Sequence, residues 1–208
     1  MKSPVFPRSV LILAIAAAAG CQDASEAGAS FEPTVVEAVA PPVTDPVADT
    51  LPPAKGEDLP TFTTAASSAD VASTGEDAPI LRAVRIGRHD GFDRIVFEFD
   101  SDGLPQWHVD YIDAPAIHCG SGQDVAVEGA ALLQVRFNGA NAHTEAGEPT
   151  SGPARRTAHM PSVREVVRTC DFEAEVTWVV GVAGERSYRP RVLTDPARLV
   201  VDVSHDAP

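Results

Sequence analysis

The chain has 208 residues, with 16 basic side chains against 30 acidic ones and a formal net charge of −14. That balance argues against nucleic acid and anionic lipid headgroups as general partners, since both repel an acidic surface. A 44% hydrophobic content is enough for a packed core, and the three cysteines make the thiol chemistry quick to enumerate.

The chain opens "MKSPVFPRSVLILAIAAAAGC", with Lys2 and Arg8 as a short basic region and Val10 to Ala19 as an apolar one. Ten apolar residues are too few to span a bilayer. The run stops at small residues immediately before Cys21, an arrangement that resembles a bacterial lipoprotein signal peptide. Residues 1–20 are therefore expected to be a removable signal and Cys21 the lipidated residue. The alternative is an ordinary secretory signal that contains a cysteine. Several acyl chains, at about 0.8 kcal/mol per buried methylene, hold a protein on a membrane far better than one. The expected location is outside the cytoplasm, anchored to a bacterial membrane and facing the periplasm or the cell exterior.

Residues 21–80 read as a tether. From Gln22 to Ile80 the composition is Ala, Pro, Thr, Ser and acids, with Lys55 the only base against eleven acids, a net −10. The prolines at 33, 41, 42, 46, 52, 53 and 60 break any sustained helical or strand period, so the segment is expected to be disordered and self-repelling. In polyproline-like form, at about 3 Å per residue, it reaches on the order of 180 Å.

Residues 81–208 are expected to form one globular domain, with 13 arginines, 19 acids and no lysine. In chain order, period-two alternation appears at Val84 and Ile86, then Ile95, Phe97 and Phe99, then Trp107, Val109 and Tyr111. It returns at Leu133, Val135 and Phe137, at Val176, Trp178 and Val180, and at Leu199, Val201 and Val203. Further strands are expected at Val163 to Thr169 and Tyr188 to Leu193. Turn chemistry such as "HDGFD", "DSDGLP" and "TDPA" separates these runs, and no stretch carries an apolar stripe at helical spacing for three turns. The expected class is all-β, a β-sandwich of short antiparallel strands. Gly139 to Pro161 is the longest irregular stretch, and a loop of that length on a compact domain is often functional or mobile.

Two strands echo each other. "RIVFEF" (Arg94 to Phe99) and "RLVVDV" (Arg198 to Val203) both place Arg, Val and an acid on one face and three apolar residues on the other. As antiparallel neighbours in the register whose numbers sum to 296, Arg94 meets Asp202, Val96 meets Val200 and Glu98 meets Arg198. That register is expected to form both ion pairs together. The competing arrangement puts the two strands at equivalent positions of a pseudo-symmetric pair of sheets, never in contact.

"RIGRHDGFDRIVFEFD", "VREVVRTCDFEAEVTWVVGV" and "DPARLVVDV" resemble the AMIN-like domain of bacterial lipoproteins, a relative of the AMIN domain found beside cell-wall amidases and in secretin-type envelope proteins. The resemblance covers nearly all of Leu81 to Val203. It implies a β-sandwich that localises partners in the envelope, in some members by binding peptidoglycan. Cys119 and Cys170 depart from that pattern, and the resemblance carries over no catalytic residue.

With Cys21 assigned to lipid, Cys119 and Cys170 remain as an even pair in an exporting compartment, which permits a disulfide between them. Two free thiols or a metal site are the alternatives. No metal or cofactor is expected: the six histidines are scattered, "HTE" at His143 lacks the cysteine half of a deaminase zinc site, and His-Glu-x-x-His, Gly-x-Ser-x-Gly and Walker patterns do not occur. A Cys119 nucleophile with His118 or His143 as base is the one catalytic arrangement the residues allow. Trp107, Tyr111 and Trp178 are candidates for stacking on sugars, although each lies on an apolar stripe that points to core packing. Arg155, Arg156, Arg164 and Arg168 are the densest basic group and the candidate ligand-binding residues, able to hold peptide-stem carboxylates bidentately; a solvated charged face is the alternative. The expected function is non-enzymatic: an envelope binding module for peptidoglycan or a wall-associated protein. The alternatives are an assembly factor that adds its sheet edge to a partner strand, or a wall hydrolase.

Overall fold

The computed structural model describes residues 60–70 and 78–208. Residues 1–59, and with them the expected signal peptide, Cys21 and most of the expected tether, lie outside the described residues, as do residues 71–77. Among the described residues there is no helix, and twelve strands follow one another: β1 (Ser67–Ala69), β2 (Leu81–Arg88), β3 (Phe92–Phe99), β4 (Gln106–Ile112), β5 (Ala116–Ile117), β6 (Asp124–Val125), β7 (Ala131–Asn138), β8 (Arg155–Thr157), β9 (Val163–Phe172), β10 (Glu175–Val182), β11 (Tyr188–Leu193) and β12 (Arg198–Ser204).

The strands form a six-stranded sheet in the order β1-β4-β7-β10-β9-β8, a four-stranded sheet in the order β11-β12-β3-β2, and a small β5-β6 hairpin. All pairings within them are antiparallel. The alternation read from the sequence supplies the two inner faces. Ile95, Phe97, Phe99, Leu199, Val201 and Val203 of the smaller sheet meet Val109, Leu133, Val135, Phe137, Trp178 and Val180 of the larger one in a single core. Across the interface Phe97 and Phe99 pack edge-on against Phe137, with ring centroids 5.3 and 4.9 Å apart. Trp107 and Trp178 are buried in this core and Tyr111 packs against it, so their role is packing.

The two echoing strands are neighbours. β12 pairs with β3 in the register Arg198 to Glu98, Val200 to Val96 and Asp202 to Arg94, and Arg94 Nε reaches Asp202 Oδ1 at 2.7 Å. The second expected ion pair does not form. Glu98 instead accepts from Arg85 of β2 at 2.8 Å, and Arg198 donates to the carbonyls of Pro196 and Thr194. Register alone does not dictate pairing here, because β3 is flanked on both sides and Glu98 has a choice of arginines.

Residues 60–70 fall within the stretch expected to be a tether. Residues 60–70 belong to the sandwich, with β1 on the edge of the larger sheet, paired to β4. Thr63 and Tyr188 exchange backbone hydrogen bonds at 2.8 Å, and the Arg189 guanidinium lies 4.4 Å from the Phe62 ring centroid. The Tyr188 hydroxyl sits 2.8 Å from the Ala65 carbonyl and 2.7 Å from that of Val109. β1 is three residues long, so "SSA" carried no alternation to read.

Candidate ligand-binding cleft

One end of the larger sheet opens into a cleft of about 780 Å³, lined by the turn after β5 (His118, Cys119, Gly120), the loop after β7 (Asn141, His143, Gly147, Pro149) and the end of β9. The β9 contribution runs from Arg168 to Phe172 and continues into Glu173 and Ala174. Those last two residues form the two-residue turn between β9 and β10, with φ of 50° and 57°. Left-handed backbone at both central positions matches the right-handed twist of a tight hairpin. The turn leaves Phe172 at the rim of the cleft, 59% exposed.

The Gly139 to Pro161 stretch is ordered by hydrogen bonds. The Asn141 N–H donates to the Pro79 carbonyl, and the Asn141 carbonyl accepts from Leu81 N–H. A turn follows, with Gly147 at φ 82° donating to the Thr144 carbonyl. The C-terminal part of the stretch forms β8, the far edge of the larger sheet.

Asp171 organises the cleft floor. Its Oδ1 accepts from Ala142 N–H at 2.9 Å and faces His143 Nδ1 at 2.8 Å, while its Oδ2 is 3.1 Å from Arg168 Nη1. The carboxylate accepts from His143 Nδ1–H, which orients the ring and leaves Nε2 outside that contact. His118 has the opposite arrangement. Its Nδ1 accepts from the N–H groups of Gly120 and Ser121, both at 3.3 Å, so its proton sits on Nε2. Cys119 and Cys170 are joined by a disulfide with Cα atoms 5.2 Å apart, and Cys119 N–H donates to the Thr169 carbonyl at 3.1 Å. The β5-β6 hairpin is thereby fastened to β9. A sulfur held in a disulfide is no thiolate, so the geometry offers no Cys119 nucleophile. Among the described residues no group of three or more His, Cys, Asp or Glu is placed to hold a metal ion.

The structure does not gather Arg155, Arg156, Arg164 and Arg168 into one site. Arg155 pairs with Glu165 at 2.7 Å. Burial works to raise the Glu165 pKa, but the Glu128 N–H at 2.9 Å and the Arg155 guanidinium outweigh it and hold the carboxyl below its ordinary value. Arg156 lies on the inner face, 5.5 Å from the Trp178 ring, and donates to the Ser151 carbonyl. Its pKa is lowered by burial and by neighbouring Arg168. Arg164 occupies a bulge, where the β9 register to β10 steps from Glu165 to Val163. Of the four, Arg168 alone lines the cleft. The sequence reading missed Phe172, Asn141 and the His143–Asp171 pair. Nothing in "CDFEAE" signals the turn that exposes Phe172, since Glu173 and Ala174 take left-handed backbone without Asn or Gly.

A family model described as AMIN-like domain matches residues 79–205. Comparison with curated proteins and comparison with solved structures each give no match.

Proposed function

The chain belongs to the AMIN-like domain family, a premise that makes it an envelope-related binding module in general, and from it we propose that this protein binds peptidoglycan without turning it over. The observation that carries the reading is the cleft beside the β9-β10 turn, where an exposed aromatic ring stands next to polar side chains on a rigid sheet. Among the described residues the same cleft presents a histidine-carboxylate pair with the neighbouring Cys119 held in a disulfide, which favours binding over hydrolysis. Cys21 is proposed as the lipidated residue, with residues preceding the sandwich as the tether that carries the domain from the membrane to the wall.

Co-sedimentation of the full chain with purified sacculi tests this. Saturable retention without release of soluble wall fragments is the expected result. Failure to sediment, or wall fragments whose release disappears in His143→Ala, would overturn it.

A further inference from the structure

We propose that the cleft takes the uncharged, N-acetylated sugar rings of a glycan strand, with Phe172 as the stacking platform, and that it does not recognise the carboxylates of the peptide stems. This rests on the wall-binding reading above and names the ligand class of that same site.

Three observations point the same way. First, Phe172 lines the cleft while remaining 59% exposed. An aromatic face left to water beside polar groups offers a sugar ring apolar contact through its C–H face. Second, the polar groups around it have complementary unused atoms. His143 Nε2 is left outside the Asp171 contact made by Nδ1, and His118 Nε2–H is a donor because its Nδ1 accepts from the Gly120 and Ser121 N–H groups. The Asn141 side-chain amide, also lining the cleft, supplies both donor and acceptor. A sugar hydroxyl both gives and accepts, and an acetamido group needs one of each, so a mixed set suits them. Third, the charge of the cleft is wrong for an anion. Among the described residues the only arginine lining it, Arg168, is 3.1 Å from Asp171 and is neutralised there. Glu173 at the rim adds a second negative charge. A stem carboxylate would meet repulsion and no available guanidinium, whereas a neutral sugar loses nothing.

The test uses the full chain with N-acetylglucosamine tetramer as probe, followed by titration calorimetry, with a stem peptide lacking sugar as the contrasting probe. Saturable binding of the tetramer, no binding of the stem peptide, and a loss of about tenfold in Phe172→Ala support the proposal. Phe172 projects into solvent, so its removal leaves the core intact, and an unchanged thermal melt verifies this. His143→Ala, which removes the imidazole Nε2 from the cleft, is expected to weaken binding also. Stem-peptide binding, or tetramer binding indifferent to Phe172→Ala, overturns the site. If sacculi are retained while the tetramer is ignored, the ligand class is wrong and the wall-binding reading survives. If sacculi are ignored as well, both fall.

Discussion

Arg94 and Asp202 stand directly opposite each other on β3 and β12 and are joined by two hydrogen bonds, Nε to Oδ1 at 2.7 Å and Nη2 to Oδ2 at 3.1 Å. The Asp202 side chain is fully buried and that of Arg94 is 9% exposed. Arg189 Nε adds a contact to the same carboxylate at 3.1 Å, and Arg191 approaches it at 3.7 Å. Removing one member of such a group strands buried charge. Asp202→Ala is therefore expected to cost about 3 to 5 kcal/mol in urea unfolding. Arg198→Ala removes only exposed bonds to turn carbonyls, and its cost should stay within about 0.5 kcal/mol. Equal costs for the two would contradict this account.

The disulfide closes a loop of 51 residues in sequence separation, which on the chain-entropy model is worth about 4 kcal/mol. The double variant Cys119→Ser, Cys170→Ser should lose stability on that scale yet still fold, because the sandwich core does not include the β5-β6 hairpin. Its cleft should suffer more than its core, since His118 sits on the released turn. Denaturant midpoints compared with probe binding on the two proteins measure both effects, and equal loss of core and cleft would argue against a local role.

What the sequence made legible follows from a division of residue types between two faces. Strands such as β3 and β12 put their large apolar side chains on one face and Arg, Val and an acid on the other, which is largely buried as well, so their alternation announced the strands and offered the register that forms. β1 and β8 are three residues each, and β5 and β6 two, so no period survives in them. The Glu98 pairing was misjudged because "DRIVFEF" says what lies opposite within one pair of strands, while the side chain chose Arg85 on the other flank. Phe172 was illegible for a related reason. Its role depends on the backbone of Glu173 and Ala174 taking left-handed conformations without Asn or Gly to signal the turn.

Tyr188 links alkaline stability to the docking of residues 60–70. Burial, assisted by the nearby charge of Asp110, pushes its phenol up from 10.0 to about 12. Tyr111 is raised as well, again chiefly by burial. A phenol whose folded pKa exceeds its unfolded value favours the folded state below the unfolded pKa, and that contribution is lost as pH rises through the folded one. Wild-type stability should therefore fall between pH 10 and about 12. Tyr188→Phe should start lower at neutral pH, having lost its hydrogen bond to a carbonyl, and decline less over that range. Unfolding midpoints across the alkaline range decide it, and parallel curves would remove Tyr188 as the cause.

Salt dependence separates the sugar reading from a charge-driven one. Three of the four clustered arginines already serve the fold: Arg155 answers Glu165, Arg156 covers Trp178 and Arg168 answers Asp171. Replacing Arg155 or Arg168 would orphan a carboxylate that is 8% or 13% exposed, so any loss of wall binding there would be confounded with damage to the structure. Arg164, at its bulge, makes no ion pair among the described residues. If anionic wall groups were bound through this arginine cluster, Arg164→Ser should weaken sacculus retention, most strongly at low ionic strength where the Debye length is longest. With a neutral sugar in the cleft, retention should change less than about twofold between about 0.05 and 0.5 M salt, and Arg164→Ser should behave as wild type, because no counterion is released when an uncharged ring stacks on Phe172. A steep loss of retention with salt would return the binding to the arginines and away from the cleft.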